Sequence, residues 1–287
     1  MFRNYLSLVK FSHTIFAMPF ALIGYTLGEY QTPGIDYWML VKVLLCMVFA
    51  RNAAMAYNRY LDRDIDALNP RTNSREIPAG ILRPGSVLFF VLVNCVFFII
   101  TCFFINWICL FLSPVALLVI LGYSYTKRFT SLCHFVLGLG LALAPLGAYL
   151  AVTGRFALIP VLLSVVVMTW VAGFDIIYSL QDDQFDKSQQ LHSLPTILGR
   201  KKALYLSTMV HVVTAITLCA AVYLINMQYL PTGILMYIGT GIFLSMLLYQ
   251  HLIITAEDLK RVNLAFMTTN GIASVVFGSL VILDFII

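Results

Sequence analysis

The feature that most constrains this chain is a succession of apolar runs, each about twenty residues long, separated by short polar stretches. A run of that length matches the hydrocarbon thickness of a bilayer when wound as a helix. Backbone amides inside lipid must be satisfied within the segment, so helices are the form such runs take. Walking the 287 residues with that ruler gives nine spans, at 11–29, 38–58, 86–104, 106–126, 132–153, 158–180, 202–224, 230–250 and 265–286. Only Ile105 and Asn106 separate the third span from the fourth. Charged residues make up 11% of the chain, against about 25% in a soluble globular domain. That deficit excludes a disordered chain or a nucleic-acid-binding one. The N-terminal run is too long for a cleaved secretion signal and reads as the first span.

Charge placement sets the orientation. With the N-terminus inside, sixteen of the eighteen Lys and Arg residues fall on the cytoplasmic side, and only Lys42 and Arg155 fall opposite. The expectation is an all-α integral membrane protein with nine transmembrane helices, N-terminus in and C-terminus out, in a cytoplasmic inner membrane. The six cysteines, Cys46, Cys95, Cys102, Cys109, Cys133 and Cys219, show no C-x-x-C spacing, and most lie in apolar runs. They read as small buried hydrophobes.

Acidic residues break this apolar background in a pattern. Span two runs into Asn58, Asp62 and Asp66, and span six into Tyr178, Asp182 and Asp186, with Asp175 two turns earlier. The i, i+4, i+8 spacing places each triplet on one face of a continuous helix. Like charges stacked there repel unless a cation joins them. Asp175 lies well inside an apolar run, where an ionisable group is costly and marks function. Oxygen ligands without imidazole or thiolate suit Mg²⁺, which shares its coordination with phosphate. Asp64 and Asp183, off the common face, are as readily bland, solvated or paired with nearby arginines, as part of such a cation site.

The two triplets are related by a constant offset of 120 residues. This predicts two four-helix pseudo-repeats, about 1–128 and 129–250, with an extra helix at 265–286 and one domain over 1–287. A ligand between the halves is the expected arrangement. The loops that follow carry Arg71, Arg75 and Lys187, and span four ends in Tyr123, Lys127 and Arg128. These cations could hold a diphosphate or simply anchor at headgroups. His13 could touch an acceptor acid, and His192 is as readily a loop residue fixing backbone as a catalyst.

These residues resemble the UbiA-type family of intramembrane aromatic prenyltransferases. Its N-x-x-x-D-x-x-x-D motif matches Asn58, Asp62 and Asp66, and its D-x-x-x-D motif matches Asp182 and Asp186. The resemblance also covers Arg71 to Gly80, Tyr123 to Arg128 and Tyr178 to Asp182. Arg59 stands where many members carry a further aspartate, outside the shared face. The stretches Lys10 to Phe20 and Leu191 to Pro195 are similar to the bacterial quinone-pathway branch acting on 4-hydroxybenzoate, which has relatives acting on dihydroxynaphthoate.

The resemblance implies transfer of a polyprenyl group from its diphosphate to an aromatic acid. Asn58, Asp62, Asp66, Asp182 and Asp186 would hold two Mg²⁺ ions, and Arg71, Arg75, Lys127, Arg128 and Lys187 would bind the diphosphate. Asn58, Tyr123, Tyr178, His13 and His192 would line the substrates, with Asp175 a candidate base. The partners implied are these substrates and lipid, with no nucleic acid and no obligate protein partner. Two rivals remain. A cation-coupled transporter would suit the repeats, but its acids should lie at mid-membrane rather than at one side. A phosphoalcohol transferase would need an Asp-Gly-type motif, and no Asp-Gly pair occurs.

Overall fold

The computed structural model describes residues 2–9, 16–32, 36–229 and 233–287. Among them there is no strand. The helices are α1 (Phe2–Leu8), α2 (Met18–Glu29), α3 (Tyr37–Leu61), α4 (Arg63–Leu68), α5 (Pro84–Phe103), α6 (Trp107–Thr126) and α7 (Cys133–Thr153). There follow α8 (Leu158–Ser179), α9 (Asp183–Ser188), α10 (Leu194–Leu198), α11 (Arg200–Gln228), α12 (Ile234–Ile253) and α13 (Asn270–Ile286), the last entered through a π-helical stretch, Leu264–Thr269.

Eight of these are long and apolar enough to cross a membrane among the described residues: α3, α5, α6, α7, α8, α11, α12 and Leu264–Ile286. The first expected span is described only as Met18–Glu29, and residues 10–15 lie outside the described set. The narrow break between spans three and four is real. Asn106 caps α6, its side chain accepting from the Cys109 amide at 2.8 Å, and its Nδ2 donates to the Leu150 carbonyl at 2.8 Å.

α8 is the most enclosed span and packs between α7 and α11. Its Trp170 is fully buried in a core shared with Phe20, Tyr149, Phe243 and Phe277. The indole Nε1 donates to Asn270 Oδ1 at 2.9 Å, which also accepts from Gln250 at 2.7 Å, so α8, α12 and the start of α13 are joined by polar contacts. Close approach of backbones tightens the bundle. A Cβ on Gly24 would stand 2.1 Å from the Pro145 carbonyl oxygen, and one on Gly138 2.3 Å from that of Met168. Small residues at crossings are the usual means by which membrane helices gain packing. Phe89, Phe111, Leu118 and Leu252 face outward, as lipid contact requires. All six cysteines are free thiols.

Candidate active site

The acidic triplets do not sit on continuous helices. α3 ends at Leu61, Asp62 turns the chain with φ −89° and ψ 4°, and α4 begins at Arg63. α8 ends at Ser179, Asp182 turns it with φ −106° and ψ 5°, and α9 begins at Asp183. In both places the fourth residue on returns its amide to the turning aspartate's carbonyl at 2.7 Å (Asp66 to Asp62, Asp186 to Asp182). A carboxylate is disfavoured at a helix C-terminus and favoured at an N-terminus. The break exchanges one for the other, so the single continuous face expected from spacing is replaced by two matching corners.

At the first corner Asp62 is 2% exposed. Its Oδ2 receives Lys127 Nζ at 2.6 Å and Asn58 Nδ2 at 3.1 Å. Its Oδ1 accepts no hydrogen bond, and Arg128 Nη2 lies 3.6 Å away. Asp66 is buried, and both its oxygens accept from Arg75 Nη1, at 2.7 and 2.8 Å. At the second corner Asp182 takes the Arg71 fork, Nε to Oδ1 at 2.8 Å and Nη2 to Oδ2. Asn69 Nδ2 adds 3.2 Å to Oδ1. The loop after the first corner therefore clasps the second, which brings the two motifs to one place.

Asp186 differs from the other three. Its side chain makes no hydrogen bond or ion pair among the described residues. Burial and the neighbouring Asp182 charge push it up to about 6, against the opposing pull of Lys127, Arg71 and His134. A carboxylate so placed is short of positive charge. Asp183 instead forms a two-point pair with Arg200, at 2.6 and 2.8 Å, and Asp64 is 84% exposed beside Arg63. These two are structural and solvated, respectively.

Tyr178 accepts from Arg71 Nη1 at 3.2 Å, and its ring lies 4.2 Å from that of Phe266 on the π-helical stretch. Lys187 is exposed and makes no ion pair among the described residues. The His192 amide donates to the Lys127 carbonyl at 2.7 Å, fastening the loop after the second motif to the end of α6. Its Nδ1 is enclosed without a partner. His13 lies outside the described residues.

A polar cavity of about 610 Å³ opens beside these corners, lined by Asn58, Arg59, Arg71, Arg75, Tyr123, Asp175 and Tyr178. An apolar chamber of about 350 Å³ lies next to it, lined by Ala50, Phe98, Leu112, Val119, Leu143 and Gly147. Arg51, Tyr123, Leu137 and Leu141 belong to both walls, so one space leads into the other.

Sequence reading left two residues without a role in the site. Arg51 is an arginine in a span, two turns before Asn58, whose Nε is enclosed without a hydrogen bond and which makes no ion pair among the described residues. An ionisable residue within an apolar run was the available signal. His134, 2% exposed in the first turn of α7, meets Asp175 Oδ2 at 2.7 Å. Nothing in spacing links residues 41 positions apart.

The donor set fits a hard divalent cation: carboxylate and amide oxygens, with Asp186 and Asp62 Oδ1 not taken up by hydrogen bonds. Among the described residues no three His, Cys, Asp or Glu side chains converge as a ready-made cage. Asp62, Asp66 and Asp182 each hold a basic side chain instead.

A profile of the UbiA prenyltransferase family matches residues 17–272. The 4-hydroxybenzoate octaprenyltransferase of Aliivibrio salmonicida is 27% identical over 244 residues, 84% of this chain and 83% of its own. That of Nitrosomonas europaea is 28% identical over 253 residues, 86% and 82%. The structure of a UbiA homolog from Aeropyrum pernix K1 matches with a TM-score of 0.84 at 31% identity, covering 95% of this chain and 98% of that one. A UbiA homolog from Archaeoglobus fulgidus, solved with GPP and Mg²⁺, shares the fold with a TM-score of 0.77 at 20% identity, covering 99% and 100%.

Proposed function

This chain belongs to the UbiA prenyltransferase family, and on that premise we propose that it transfers a polyprenyl group from polyprenyl diphosphate to an aromatic acid of the 4-hydroxybenzoate kind, releasing diphosphate, in quinone biosynthesis. The observation that carries this reading is the junction of the two spaces. A cavity rimmed by arginines suits a diphosphate, an apolar chamber suits an isoprenoid tail, and an unpaired arginine at their join suits a carboxylate. The names of the relatives support the acceptor class, and the A. fulgidus complex supports the diphosphate with Mg²⁺ on this fold.

Arg71, Arg75, Lys127 and Arg128 would bind the diphosphate and stabilise its charge as the allylic C–O bond breaks. Lys187, exposed and next to Asp186 in the chain, would add to their positive charge. Asn58, Asp62 and Asp66 on one side, and Asp182 and Asp186 on the other, would hold two Mg²⁺ ions. Mg²⁺, when bound, neutralises diphosphate and makes it a better leaving group. Tyr123 and Tyr178, on the wall of the polar cavity, would shield the allylic cation, and the enclosing spans would keep water from quenching it. The matching corners at Asp62 and Asp182 support two pseudo-repeats. The concentration of Lys and Arg at those ends supports a site facing the cytoplasm in the inner membrane.

The test is to incubate membranes holding the protein with labelled polyprenyl diphosphate, Mg²⁺ and a panel of aromatic acids, then identify the product by mass. Wild-type protein should yield a prenylated acid, and Asp62→Ala and Asp182→Ala should yield almost none. Near-normal turnover in either variant would remove the carboxylate assignment.

A further inference from the structure

Asp175 lies on α8 within the membrane, 22% exposed, on the wall of the polar cavity between Phe174 and Tyr178. Its Oδ2 faces His134 Nδ1 at 2.7 Å, and its Oδ1 accepts no hydrogen bond among the described residues. His134 is itself 2% exposed. Its other nitrogen, Nε2, is met by the backbone amide of Leu194 at 3.3 Å. An amide N–H can only donate, so Nε2 is the acceptor and the ring proton sits on Nδ1. That proton points at Asp175.

The support behind His134 is itself hydrogen-bonded in place. Leu194 is the first residue of α10, whose N-cap Ser193 forms a reciprocal box with Thr196. The same loop is fastened to α6 by the His192 amide on the Lys127 carbonyl, and Cys133 Sγ donates to the His192 carbonyl at 3.6 Å. The loop that follows the second acidic motif thus fixes one tautomer of one histidine, and the histidine fixes one oxygen of one carboxylate.

We propose that His134 is a positioning residue for the ring-deprotonation step. It holds Asp175 with Oδ1 turned to the aromatic acceptor. The inference rests on the prenyl-transfer reading above. In that step an electron pair of the ring has formed the new C–C bond to the allylic carbon, and the C–O pair has left with the diphosphate. The C–H bond at the alkylated ring carbon then breaks. Its electrons restore aromaticity and its proton passes to Asp175 Oδ1, making a carboxylic acid that later returns the proton to solvent or diphosphate. His134 keeps its Nδ1 proton throughout. It cannot relay the proton onward, because the Leu194 amide occupies Nε2. Its part is to give Oδ2 one strong hydrogen bond. It also holds the carboxylate in one rotamer.

The experiment compares wild type, His134→Phe, His134→Asn, Asp175→Asn and the double variant His134→Phe/Asp175→Asn. The acceptor is unlabelled or carries deuterium at the ring carbon that is alkylated. Asparagine can place its Nδ2 donor near the position of Nδ1, so His134→Asn should keep most of kcat. His134→Phe should lose about 100-fold in kcat, the scale of a general base removed from register. Its KM for the prenyl diphosphate should hold, and its cooperative thermal unfolding in detergent should be retained, which reports an intact fold. Deuterium should have no effect in wild type, where ionisation limits, and should slow His134→Phe, where deprotonation limits. The double variant should be no worse than Asp175→Asn.

Transfer by His134→Phe at wild-type rate, or reduced without an isotope effect, overturns the proposal while the prenyl-transfer reading stands. A double variant much worse than Asp175→Asn does the same. Failure of wild type to prenylate any aromatic acid overturns both.

Discussion

Replacing Arg51 should stabilise the protein and impair one substrate only. The guanidinium lies in a span, its Nε enclosed and unbonded, with no carboxylate paired to it among the described residues. Taking an unpaired ion out of water costs several kcal/mol even after the surroundings relax. Because this one borders the polar cavity, part of its hydration is kept, and Arg51→Met should return about 1–3 kcal/mol. On the proposed reading, the same change would remove the counter-charge for the acceptor acid. A hydrogen bond to a charged group contributes about 1.5–3 kcal/mol, which converts to a rise of about 10- to 140-fold in the KM for the acid. The KM for prenyl diphosphate should hold, since Arg71, Arg75 and Lys127 are untouched, and kcat should change little. An acceptor with an amide in place of its carboxylate should be used equally by both proteins. The assays are thermal unfolding in detergent and initial rates with each substrate varied. A lower melting temperature together with a rise in both KM values would refute the reasoning, because it would make Arg51 a structural residue.

Three further outcomes follow from the geometry. Asp183→Ala loses the two-point pair with Arg200, whose side chains are 16% and 32% exposed. It should cost about 0.5–1 kcal/mol by thermal unfolding and leave prenyl transfer intact, unlike Asp182→Ala. Gly147→Phe projects into the open apolar chamber, where nothing lies within 4 Å of an added Cβ. Chromatography of products from mixed chain lengths should show a shift to shorter tails at unchanged Mg²⁺ requirement. Gly138→Ala drives a methyl 2.3 Å from the Met168 carbonyl oxygen and should destabilise by about 1–3 kcal/mol, whereas Gly140→Ala, 3.6 Å from Ile120, should be close to neutral in the same melt.

Eight of the spans were legible because lipid imposes one rule on every residue of a helix, and that rule leaves its mark in local composition. The short break at Ile105 and Asn106 was legible too, since Asn106 both caps α6 and ties it to α7. The corners at Asp62 and Asp182 were not. Spacing reports which face a residue would take on a helix and says nothing of whether the helix continues through a membrane edge. The carboxylates themselves stood out as charges in an apolar chain. Their partners did not: Arg71 meets Asp182 across 111 positions and His134 meets Asp175 across 41. Such pairs are made by tertiary packing, so only the presence of candidate cations could be read beforehand. Asp64 and Asp183, left open between a part in the acidic site and a solvated or arginine-paired role, lie respectively exposed beside Arg63 and paired with Arg200.

The pairing of acids with bases at the two corners bears on what the site admits. A divalent ion arriving alone must compete with cations tethered to the same chain, which are present at high effective concentration and lose little entropy by staying. An ion arriving on a diphosphate meets a different balance. On the proposed reading, phosphate oxygens would offer Arg71, Arg75 and Lys127 new partners as the carboxylates changed theirs, so the number of satisfied charges would be conserved. Bare metal would thereby be disfavoured relative to the complexed substrate. The selection would come from the arginines and lysine paired with the acids, rather than from the acids.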